Sequence, residues 1–448
     1  MVKLIGALSR FNPVKVLLIG DFMLDTYTTG KIRRISPEAP VPVLHVQKEE
    51  SLPGGAGNVA LNLISLGAAV SVLGRVGSDS AGEQLKGALD AEGVDTAGLF
   101  VQKGFKTPVK KRLIADAQQL LRVDFETITA LPLPLEETIF KKIGQFLEDV
   151  NIVTISDYGK GFLSRALIKK VIQLSREKNI PVIVDPKGDD FSRYEGATVL
   201  KPNLSEAYAA AKLPPDVSLE QVAERILQNT NVDLLLITRS EVGMTLFNKE
   251  GGQIDFPVRS KEVKDVTGAG DTVLSMISMA FANGIDISYG AQLANIAAGM
   301  AIERLGCARI NLSELAERLL EFDVVNKVFD EEHLFALQQA LKDKKYTVLG
   351  IESLGGMTTP LFRCLKKLSS RNKEQKLIIY IKDSDPDAEF VSLLSSLSEV
   401  DFIVLKCESF KNLCEVIQPH EVYAMESEQL IPLEHPKELL RHSPLHAK

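Results

Sequence analysis

The sequence predicts a two-domain α/β protein, in which a mostly parallel sheet carries helices on both faces. Short apolar runs rich in β-branched residues alternate with helical patterns from residue 14 to about 320, as in βαβ units. A chain of 448 residues also exceeds what one hydrophobic core usually serves. A second α/β alternation beyond residue 345 therefore indicates a smaller second domain.

Composition narrows the class of partner. The chain is 45% hydrophobic and 25% charged, as in soluble globular proteins. Its net charge of −7 argues against nucleic acid and anionic membranes, and favours a small-molecule substrate. We expect a cytoplasmic protein, because the N-terminus lacks a signal-peptide pattern and no apolar run is long enough to span a bilayer. The cysteines show no CxxC pair that would predict zinc or disulfides; they are Cys307, Cys364, Cys407 and Cys414.

The predicted strands of the first domain end in polar residues. The strand runs are VKVLLIGD, IVTISD, IPVIVDP, ATVLKPN and DLLLIT, and their polar ends are Asp21, Asp157, Asp185, Asn203 and Thr238. Ligands of open α/β sheets bind beyond the carboxyl ends of the strands, so these residues are candidate site residues. Capping of the following helix is the alternative for each of them.

Two segments, 40–47 and 107–126, alternate like half-exposed strands and lack a helical period. We interpret them as a small antiparallel sheet beside the main domain. Such a sheet can be a lid over the substrate or an edge surface for a homodimer, and the two functions are compatible.

The domain boundary is expected near residue 325, where strand and glycine signals are lost. This gives a first domain of residues 1–325 and a second of 326–448. The strand runs of the second domain are YTVLGIE, KLIIYIKD and VDFIVLK.

The strongest functional motif is Asp265-Val-Thr-Gly-Ala-Gly-Asp271, which opens an apolar helix. Gly268, Ala269 and Gly270 let successive backbone N–H groups point one way, and the helix start adds its positive dipole end. This pattern predicts an anion site suited to a phosphoryl group in transfer. Asp271 can accept the proton of an attacking hydroxyl. An ordinary glycine turn with an aspartate cap is the alternative.

A second glycine motif, Gly54-Gly55-Ala-Gly57-Asn58, also opens a helix. It brings small residues and an amide to a place where a polyhydroxy ligand can approach the backbone. Asn58 both donates and accepts hydrogen bonds, which suits sugar hydroxyls. Close packing at a helix start explains the motif equally well.

Together these motifs resemble the two signatures of the ribokinase-like carbohydrate kinases of the phosphofructokinase B type. Residues 54–67 with 74–83 match the first signature, and residues 265–273 match the second. The resemblance narrows, within residues 10–320, to the kinase domain of the bifunctional heptose 7-phosphate kinase and heptose 1-phosphate adenylyltransferase of ADP-heptose and lipopolysaccharide biosynthesis. The segments that carry it are 20–43, 118–126, 155–161, 184–206 and 238–247. It implies ATP-dependent phosphorylation of D-glycero-D-manno-heptose 7-phosphate at the anomeric hydroxyl.

The resemblance implies a role for each matching residue. Asp271 matches the catalytic base, and Gly268, Ala269 and Gly270 match the anion hole. The implied nucleotide residues are Asn203, Leu204, Ser205 and Glu206, with Thr238, Gly243, Asn295 and Gly299 near the adenosine. Asn203 and Glu206 would order the cofactor Mg²⁺ beside ATP, with Glu206 acting through water. The implied sugar-binding residues are Asp21, Asp25, Gly54, Gly55 and Asn58.

The phosphate that the substrate already carries requires a basic partner. The candidates are Lys110, Arg112, Arg122, Lys160 and Lys187, with Arg34 as a further one. Solvated surface charge is the alternative for many of them. Residues 115–118 read Ala-Asp-Ala-Gln, where the resemblance implies basic or imidazole side chains.

Residues 333–425 resemble a Rossmann-like nucleotidyltransferase, the second half of that bifunctional enzyme. Such transferases carry a His-x-Gly-His pair at the first strand-to-helix turn, where the imidazoles bind the triphosphate. The corresponding turn, residues 352–359, contains no histidine, and His333 and His420 lie elsewhere. This predicts a degenerate domain without catalysis, which stabilises the kinase or docks a separate adenylyltransferase partner.

Three functions remain open from the sequence. The first is a heptose 7-phosphate kinase with an inert second domain. The second is a kinase for a different sugar or sugar phosphate, favoured by residues 115–118. The third is a non-catalytic scaffold or binding protein, suggested by the loss of the histidine pair.

Overall fold

The computed structural model describes residues 2–116, 118–258, 263–304, 306–322, 327–330, 333–342, 344–353, 355–370, 375–383, 385–405, 409–426 and 428–433. These residues form two compact units. The large unit spans residues 11–311, and the small unit combines residues before 11 with those from 312 onward. The boundary predicted near residue 325 falls at 323–326, outside the described residues.

The helices, in chain order, are α1 (Val2–Leu8), α2 (Ala56–Ser65), α3 (Ser80–Ala91), α4 (Leu133–Phe146), α5 (Arg165–Glu177), α6 (Leu204–Ala211), α7 (Leu219–Thr230), α8 (Ala269–Ala282), α9 (Ile287–Ile302), α10 (Leu312–Phe322), α11 (Leu334–Leu341), α12 (Thr359–Ser370), α13 (Ala388–Ser396) and α14 (Phe410–Ile417). Within the described ranges, no helix combines the length and apolar character needed to cross a membrane.

The strands are β1 (Lys15–Gly20), β2 (Phe22–Ile35), β3 (Pro42–Gly55), β4 (Ala69–Gly77), β5 (Asp95–Gln102), β6 (Val109–Ala115), β7 (Gln118–Phe125), β8 (Ile152–Ser156), β9 (Val182–Asp185), β10 (Val199–Leu200), β11 (Leu234–Thr238), β12 (Met244–Asn248), β13 (Gln253–Phe256), β14 (Val328–Phe329), β15 (Tyr346–Ile351), β16 (Lys376–Ile381), β17 (Phe402–Val404), β18 (Glu421–Glu426) and β19 (Gln429–Pro432).

The main sheet of the large unit, as far as the structure describes it, has the strand order β13-β12-β11-β10-β9-β8-β1-β4-β5. The strands from β11 to β5 run parallel, and β12 and β13 form an antiparallel edge. Residues 16–19 of the central strand β1 are all buried, as expected where both faces of a parallel sheet are covered. The predicted mostly parallel sheet is confirmed.

Helices cover both faces of this sheet. On one face, α4, α5, α6 and α7 pack on β-strand residues such as Leu17 and Val153. On the other face lie α2 and α8, where the hydroxyls of Thr154 and Ser278 are 2.8 Å apart. The helix starts of α2 and α8 therefore meet at the carboxyl edge of β1, β8 and β9.

The lid is a separate sheet of order β3-β2-β6-β7. The predicted segments 40–47 and 107–126 contribute to β3, β6 and β7. The expectation of a purely antiparallel sheet is wrong, because β2 and β6 pair in parallel. Strand β2 was not predicted, because buried polar residues such as Thr26 and Thr28 interrupt its apolar pattern. The hydroxyls of these two threonines form hydrogen bonds with Ser51 and Glu49 on the neighbouring strand β3.

The small unit is an α/β domain with strand order β14-β17-β16-β15-β18-β19 in its described part. All neighbouring strands are parallel except the edge pair β18–β19. The order β17-β16-β15-β18 reverses direction beside β15, which is the arrangement of doubly wound nucleotide-binding folds.

Helix α1 belongs to the small unit rather than to the domain that follows it in sequence. It packs against α10 and α11, and Leu4, Ile5 and Leu8 are buried. The small unit is thus assembled from both ends of the described chain.

Candidate active site

The start of α8 forms a set of backbone donors. Gly268 adopts the left-handed conformation, with φ 82°, directly before the helix. The N–H groups of Ala269 and Thr272 bond the carbonyls of Val266 and Gly268. The N–H groups of Gly270 and Asp271 have no intrahelical acceptor, because no helical carbonyl precedes the first turn of a helix. The segment therefore offers the donors that the sequence predicted for an anion.

Asp271 is buried at this helix start, with 5% of its surface exposed. One carboxylate oxygen, Oδ2, accepts a hydrogen bond from Asn58 Nδ2 at 2.6 Å, and Oδ1 accepts one from the Tyr158 hydroxyl at 2.7 Å. A Cβ on Gly268 would lie 3.0 Å from Asn58 Nδ2, so the glycine makes room for this contact. The two glycine motifs meet here.

Burial raises the pKa of Asp271, while the bonds from Asn58 and Tyr158 and the charge of Lys201 lower it. The carboxylate is thereby fixed in orientation and kept accessible to protonation, as a general base requires. Lys201 itself is buried and lies 3.0 Å from Asp185 Oδ2. Burial raises the pKa of Asp185 to about 6, against the opposing charge of Lys201.

Asp25 lies in a second polar cluster, which is part of the lid sheet itself. Its Oδ1 accepts a hydrogen bond from Arg112 at 2.6 Å, and both side chains are largely buried. A Cβ on Gly54 would lie 2.2 Å from Asp25 Oδ2, so only glycine fits opposite this carboxylate. Gly55 has φ 56° and precedes α2.

Asp21 holds the loop at residues 157–162. Its carboxylate accepts hydrogen bonds from the backbone N–H groups of Tyr158, Lys160 and Phe162, at 3.1, 2.9 and 3.3 Å. The buried Arg75 holds the same loop from the other side, through the carbonyl of Lys160 at 3.0 Å. Asp21 thus positions Tyr158, and its role toward a sugar stays a prediction.

The basic candidates for a substrate phosphate have different surroundings. Arg122 pairs with Asp124 through two bonds of 2.9 and 3.0 Å, and Lys160 pairs with Glu126 at 2.6 Å. Arg34 is exposed. Lys110 lies 5.2 Å from the centre of the Tyr158 ring, and burial lowers its pKa.

The segment Asn203–Glu206 forms a capping box at the start of α6. Asn203 Oδ1 accepts from the N–H of Glu206 at 2.9 Å, and Glu206 Oε2 accepts from the N–H of Asn203 at 3.1 Å. Among the strand-end residues, Asn203 is thus a helix cap. Ser205 bonds Asn203 Oδ1, and Leu204 is exposed. Lys187 pairs with Glu206 at 2.6 Å, which brings it to this segment.

The four residues predicted near the adenosine lie around the edge of the main sheet. Thr238 forms a bridge to Asn203. Gly243 has φ 105°, and a Cβ there would meet Phe256 O at 2.0 Å. Asn295 donates to Pro257 O at 2.7 Å, and Gly299 is half-buried on α9. Of these four residues, Thr238 is the one whose described contacts reach the segment that starts α6.

Under the lid, a cavity of about 700 Å³ extends from Arg112 to Lys264 and Cys307. Asp116 lines this cavity. It belongs to segment 115–118, where the sequence differs from what the family resemblance implies. Ala117 lies outside the described residues. In the parts of the chain that the structure describes, no group of three or more His, Cys, Asp or Glu side chains is arranged to hold a metal ion.

In the small unit, the turn after β15 is the place where a doubly wound sheet binds ligands. Here Asp383 accepts a hydrogen bond from the N–H of Ser353. His333 precedes α11, and its ring stacks edge-on against Phe329. The His420 ring packs edge-to-face against Tyr346, with 5.8 Å between the ring centres. Neither imidazole belongs to the turn.

The large unit combines an open α/β sheet with an anion-binding helix start and a buried carboxylate, as enzymes of phosphoryl transfer do. A family model described as "pfkB family carbohydrate kinase" matches residues 14–314. The chain belongs to the pfkB family of carbohydrate kinases and is an ATP-dependent sugar kinase. The alternative of a non-catalytic scaffold is thereby set aside.

Similar proteins include several named "Bifunctional protein HldE". The one from Trichlorobacter lovleyi is 43% identical over 308 residues, which cover 68% of this chain and 63% of that protein. The one from Geotalea uraniireducens is 36% identical over 435 residues, which cover 92% of this chain and 87% of that protein. The match to the first of these relatives thus spans less than two thirds of its length.

Solved structures show the same fold. A ribokinase from Arabidopsis thaliana complexed with ribose and ATP aligns with a TM-score of 0.55 and 19% identity, over 69% of this chain and 99% of that one. Phosphofructokinase-2 from Escherichia coli, in complex with potassium, aligns with a TM-score of 0.58 and 18% identity over the same shares. The ribokinase-like fold is confirmed.

Sequence reasoning missed Tyr158, Lys201 and Arg75 as site residues. Tyr158 and Arg75 lie in segments that carried the resemblance, and Lys201 directly precedes Pro202 and Asn203. For Lys201, a polar residue buried directly after β10, its position at a strand end was the available signal, but the prediction counted only Asp, Asn and Thr there.

Proposed function

We propose that the protein transfers the γ-phosphoryl group of ATP to the anomeric hydroxyl of D-glycero-D-manno-heptose 7-phosphate, giving heptose 1,7-bisphosphate. The observation that carries the proposal is the buried Asp271 carboxylate at the start of α8, held by Asn58 and Tyr158. The similarity to proteins named HldE supports a heptose as the acceptor.

In this reaction the acceptor hydroxyl oxygen attacks the γ-phosphorus. The new O–P bond forms while the bond from that phosphorus to the β–γ bridging oxygen breaks, and ADP leaves with the electron pair. Asp271 takes the hydroxyl proton. The free N–H groups of Gly270 and Asp271 stabilise the charge on the phosphoryl oxygens.

The acceptor sugar lies under the lid in this proposal. Asp25, oriented by Arg112, accepts hydrogen bonds from sugar hydroxyls, and Gly54 and Gly55 let the ligand approach the backbone. Asn58 both orients Asp271 and faces the sugar. Asp21 acts by fixing the loop that carries Tyr158.

For the nucleotide we propose the segment Asn203–Glu206, with Thr238, Gly243, Asn295 and Gly299 around the adenosine. Asn203 and Glu206 provide the oxygen ligands that Mg²⁺ prefers, but both Glu206 oxygens already accept bonds. A magnesium ion that keeps its own waters fits this pair. When bound, Mg²⁺ neutralises charge on the β- and γ-phosphates.

For the phosphate of the substrate, Lys110 is the best supported of the predicted residues. Arg112, Arg122, Lys160 and Lys187 each have a carboxylate partner, namely Asp25, Asp124, Glu126 and Glu206. Lys110 has no carboxylate partner within the described residues, and it lies beside the Asp271–Tyr158 pair. Its ammonium is therefore available to an incoming anion.

The test is a kinase assay on the purified protein with ATP, Mg²⁺ and a panel of phosphorylated and free sugars. We expect the highest kcat/KM with heptose 7-phosphate, and a product with two phosphates. A higher kcat/KM with another sugar would reject this substrate assignment while leaving the kinase activity intact.

A second candidate is a kinase for a different sugar or sugar phosphate. Asp116 favours it, because a carboxylate in the wall of the lid cavity repels an anionic group that extends there. The same panel separates the two candidates. In addition, Asp116→Asn would raise kcat/KM for phosphorylated sugars if Asp116 repels them.

We further propose that the small unit does not catalyse adenylyl transfer. We also propose that the lid is the surface through which two copies of the chain form a homodimer. The turn after β15 has no histidine, and Val46, Leu121 and Phe125 expose apolar surface on the lid. ATP-dependent adenylylation of heptose 1-phosphate by the full chain would contradict the first point. A monomer in sedimentation analysis would contradict the second.

A further inference from the structure

Lys201 is a lysine that the reaction described above does not yet use. It lies at the end of β10 with 3% of its surface exposed. Its ammonium lies 3.0 Å from Asp185 Oδ2, and the described residues provide no second acceptor for its side chain. An ammonium has three N–H donors, so this arrangement leaves donors over. A buried charge is costly unless its donors are used, which calls for a ligand.

The spare donors lie beside the start of α8. A Cβ on Gly270 would be 3.6 Å from Lys201 Nζ. The ammonium thus lies close to Gly270, whose backbone N–H has no intrahelical acceptor. Its charge also reaches Asp271, where it lowers the pKa of the carboxyl. Three groups therefore lie close together: the free backbone N–H of Gly270, the Lys201 ammonium and the Asp271 carboxylate.

We propose that Lys201 is a catalytic residue whose ammonium binds a non-bridging oxygen of the phosphoryl group in transfer, and that Asp185 is the positioning residue that holds it there. The assignment rests on the proposed site at Asp271. Lys201 gives up no proton: the hydroxyl proton goes to Asp271, and ADP carries away the electrons of the broken bond. The ammonium stabilises the charge that moves across the phosphoryl oxygens.

Asp185 explains why the ammonium stays in place. Its carboxylate is the acceptor for Lys201, and its backbone carbonyl accepts the N–H of Asp157 at 3.1 Å, so β9 fixes it. The lysine ammonium is thus held by Asp185 and lies close to the start of α8. A purely structural ion pair would not require this proximity to Gly270.

The experiment compares Lys201→Met, Lys201→Arg, Asp185→Asn and the double variant Asp185→Asn/Lys201→Met. Methionine keeps the length of the side chain and removes the charge. With the sugar that the wild type accepts best, we expect Lys201→Met to lower kcat by about 10²–10³-fold, the loss typical of one preorganised donor. Lys201→Arg should recover part of this loss. The double variant should have a melting temperature close to that of the wild type, but its kcat should stay as low as that of Lys201→Met.

The double variant separates catalysis from structure. It removes both charges, so no buried carboxylate is left unpaired. If its kcat returns to within about threefold of the wild type, a small change on the scale of single contacts, the pair is structural and the proposal is wrong. Lys249→Met is the matched control, because Lys249 also pairs with an aspartate at 3.0 Å, in an exposed hairpin; its kcat should not change.

A binding measurement makes the test independent of the acceptor sugar. Lys201→Met should weaken binding of a non-hydrolysable ATP analogue about tenfold or more, as the loss of a charged hydrogen bond implies, and leave ADP binding unchanged. Equal effects on both nucleotides, or none, would overturn the role of Lys201. If the wild type binds the analogue but phosphorylates no sugar of the panel, the substrate assignment fails and this test of Lys201 still applies.

Discussion

At the residue scale, Asp271 has to be charged when the acceptor hydroxyl arrives, although burial favours its neutral form. Asn58 and Tyr158 offset that cost because each donates a hydrogen bond to one carboxylate oxygen. We therefore expect Asp271→Asn to lower kcat by about 10²–10⁴-fold, the usual contribution of a general base. The affinity for nucleotide should change little. Steady-state kinetics and equilibrium binding of ADP check the two halves of this prediction.

Asp255→Asn is a suitable control for that variant, because Asp255 lies on the edge strand β13 and bonds Thr245 at 2.6 Å. Its kcat should stay near the wild-type value. Unchanged turnover in Asp271→Asn would show that another group takes the proton.

Tyr158 leads to a prediction about the pH dependence of kcat/KM. Its hydroxyl stabilises the charged form of Asp271 and so lowers the pKa of that carboxyl. Tyr158→Phe removes the bond, so the pKa of Asp271 rises and the base is protonated at higher pH. The acid limb of kcat/KM should move to higher pH by about one unit. A pH–rate profile measures this shift.

Tyr194→Phe is the matched control for Tyr158→Phe. The Tyr194 hydroxyl is also buried and bonds an aspartate, Asp157, at 2.8 Å. Its removal should leave the acid limb where it is. A Tyr158→Phe profile that loses rate equally at every pH would mean that the tyrosine only supports the local structure.

The sequence predicted Asp271 and Asn58 because each lies in a motif whose glycines carry a backbone requirement, whereas Asp25 was implied only by the family resemblance. Gly54 and Gly268 leave space for Asp25 and Asn58, and that need for space is visible in sequence. The contact from Tyr158 to Asp271 was not visible, since 113 residues separate the two. Only the topology of β1, β8 and α8 brings them together.

At the scale of elements, the start of α6 combines two functions, helix capping and the proposed nucleotide binding. Asn203 caps the helix, and we propose that the same amide serves the magnesium nucleotide. Serine caps a helix about as well as asparagine, so Asn203→Ser should change the free energy of unfolding by less than about 0.5 kcal/mol. The KM for magnesium ATP should nevertheless rise severalfold. Urea unfolding and steady-state kinetics measure the two effects.

Ser218→Asn on α7 is the control, because Ser218 also caps a helix and lies outside the proposed nucleotide site. It should change neither quantity much. An unchanged KM in Asn203→Ser would assign Asn203 to capping alone.

The main sheet was predictable because its strands are apolar throughout and are separated by helices of regular period. The lid was predictable only in part. Strands β3, β6 and β7 alternate in sequence, whereas β2 buries threonines that bond across the sheet. A pattern that counts apolar residues cannot recognise a strand whose buried positions are polar.

At the scale of the whole molecule, the sequence suggested two consecutive domains, and the structure builds the small unit from both ends of the described chain. Helix α1 has only seven residues, too few for a periodic pattern to assign it to one domain or the other. Its apolar side chains pack on α10 and α11, which follow it by some 300 residues.

This arrangement predicts how the large unit behaves when it is produced alone. A fragment of residues 1–311 exposes Leu4, Ile5 and Leu8, which the full chain buries, and each such side chain contributes about 1.5–3 kcal/mol when buried. A fragment of residues 11–311 lacks this apolar segment. We expect the shorter fragment to remain in solution with measurable sugar kinase activity, and the longer one to aggregate at the same concentration. Light scattering and kinase assays on both fragments test this, with Leu4→Ser/Leu8→Ser in the longer fragment as the control that should restore solubility. Equal behaviour of the two unmodified fragments would mean that α1 finds another place to pack once the small unit is gone.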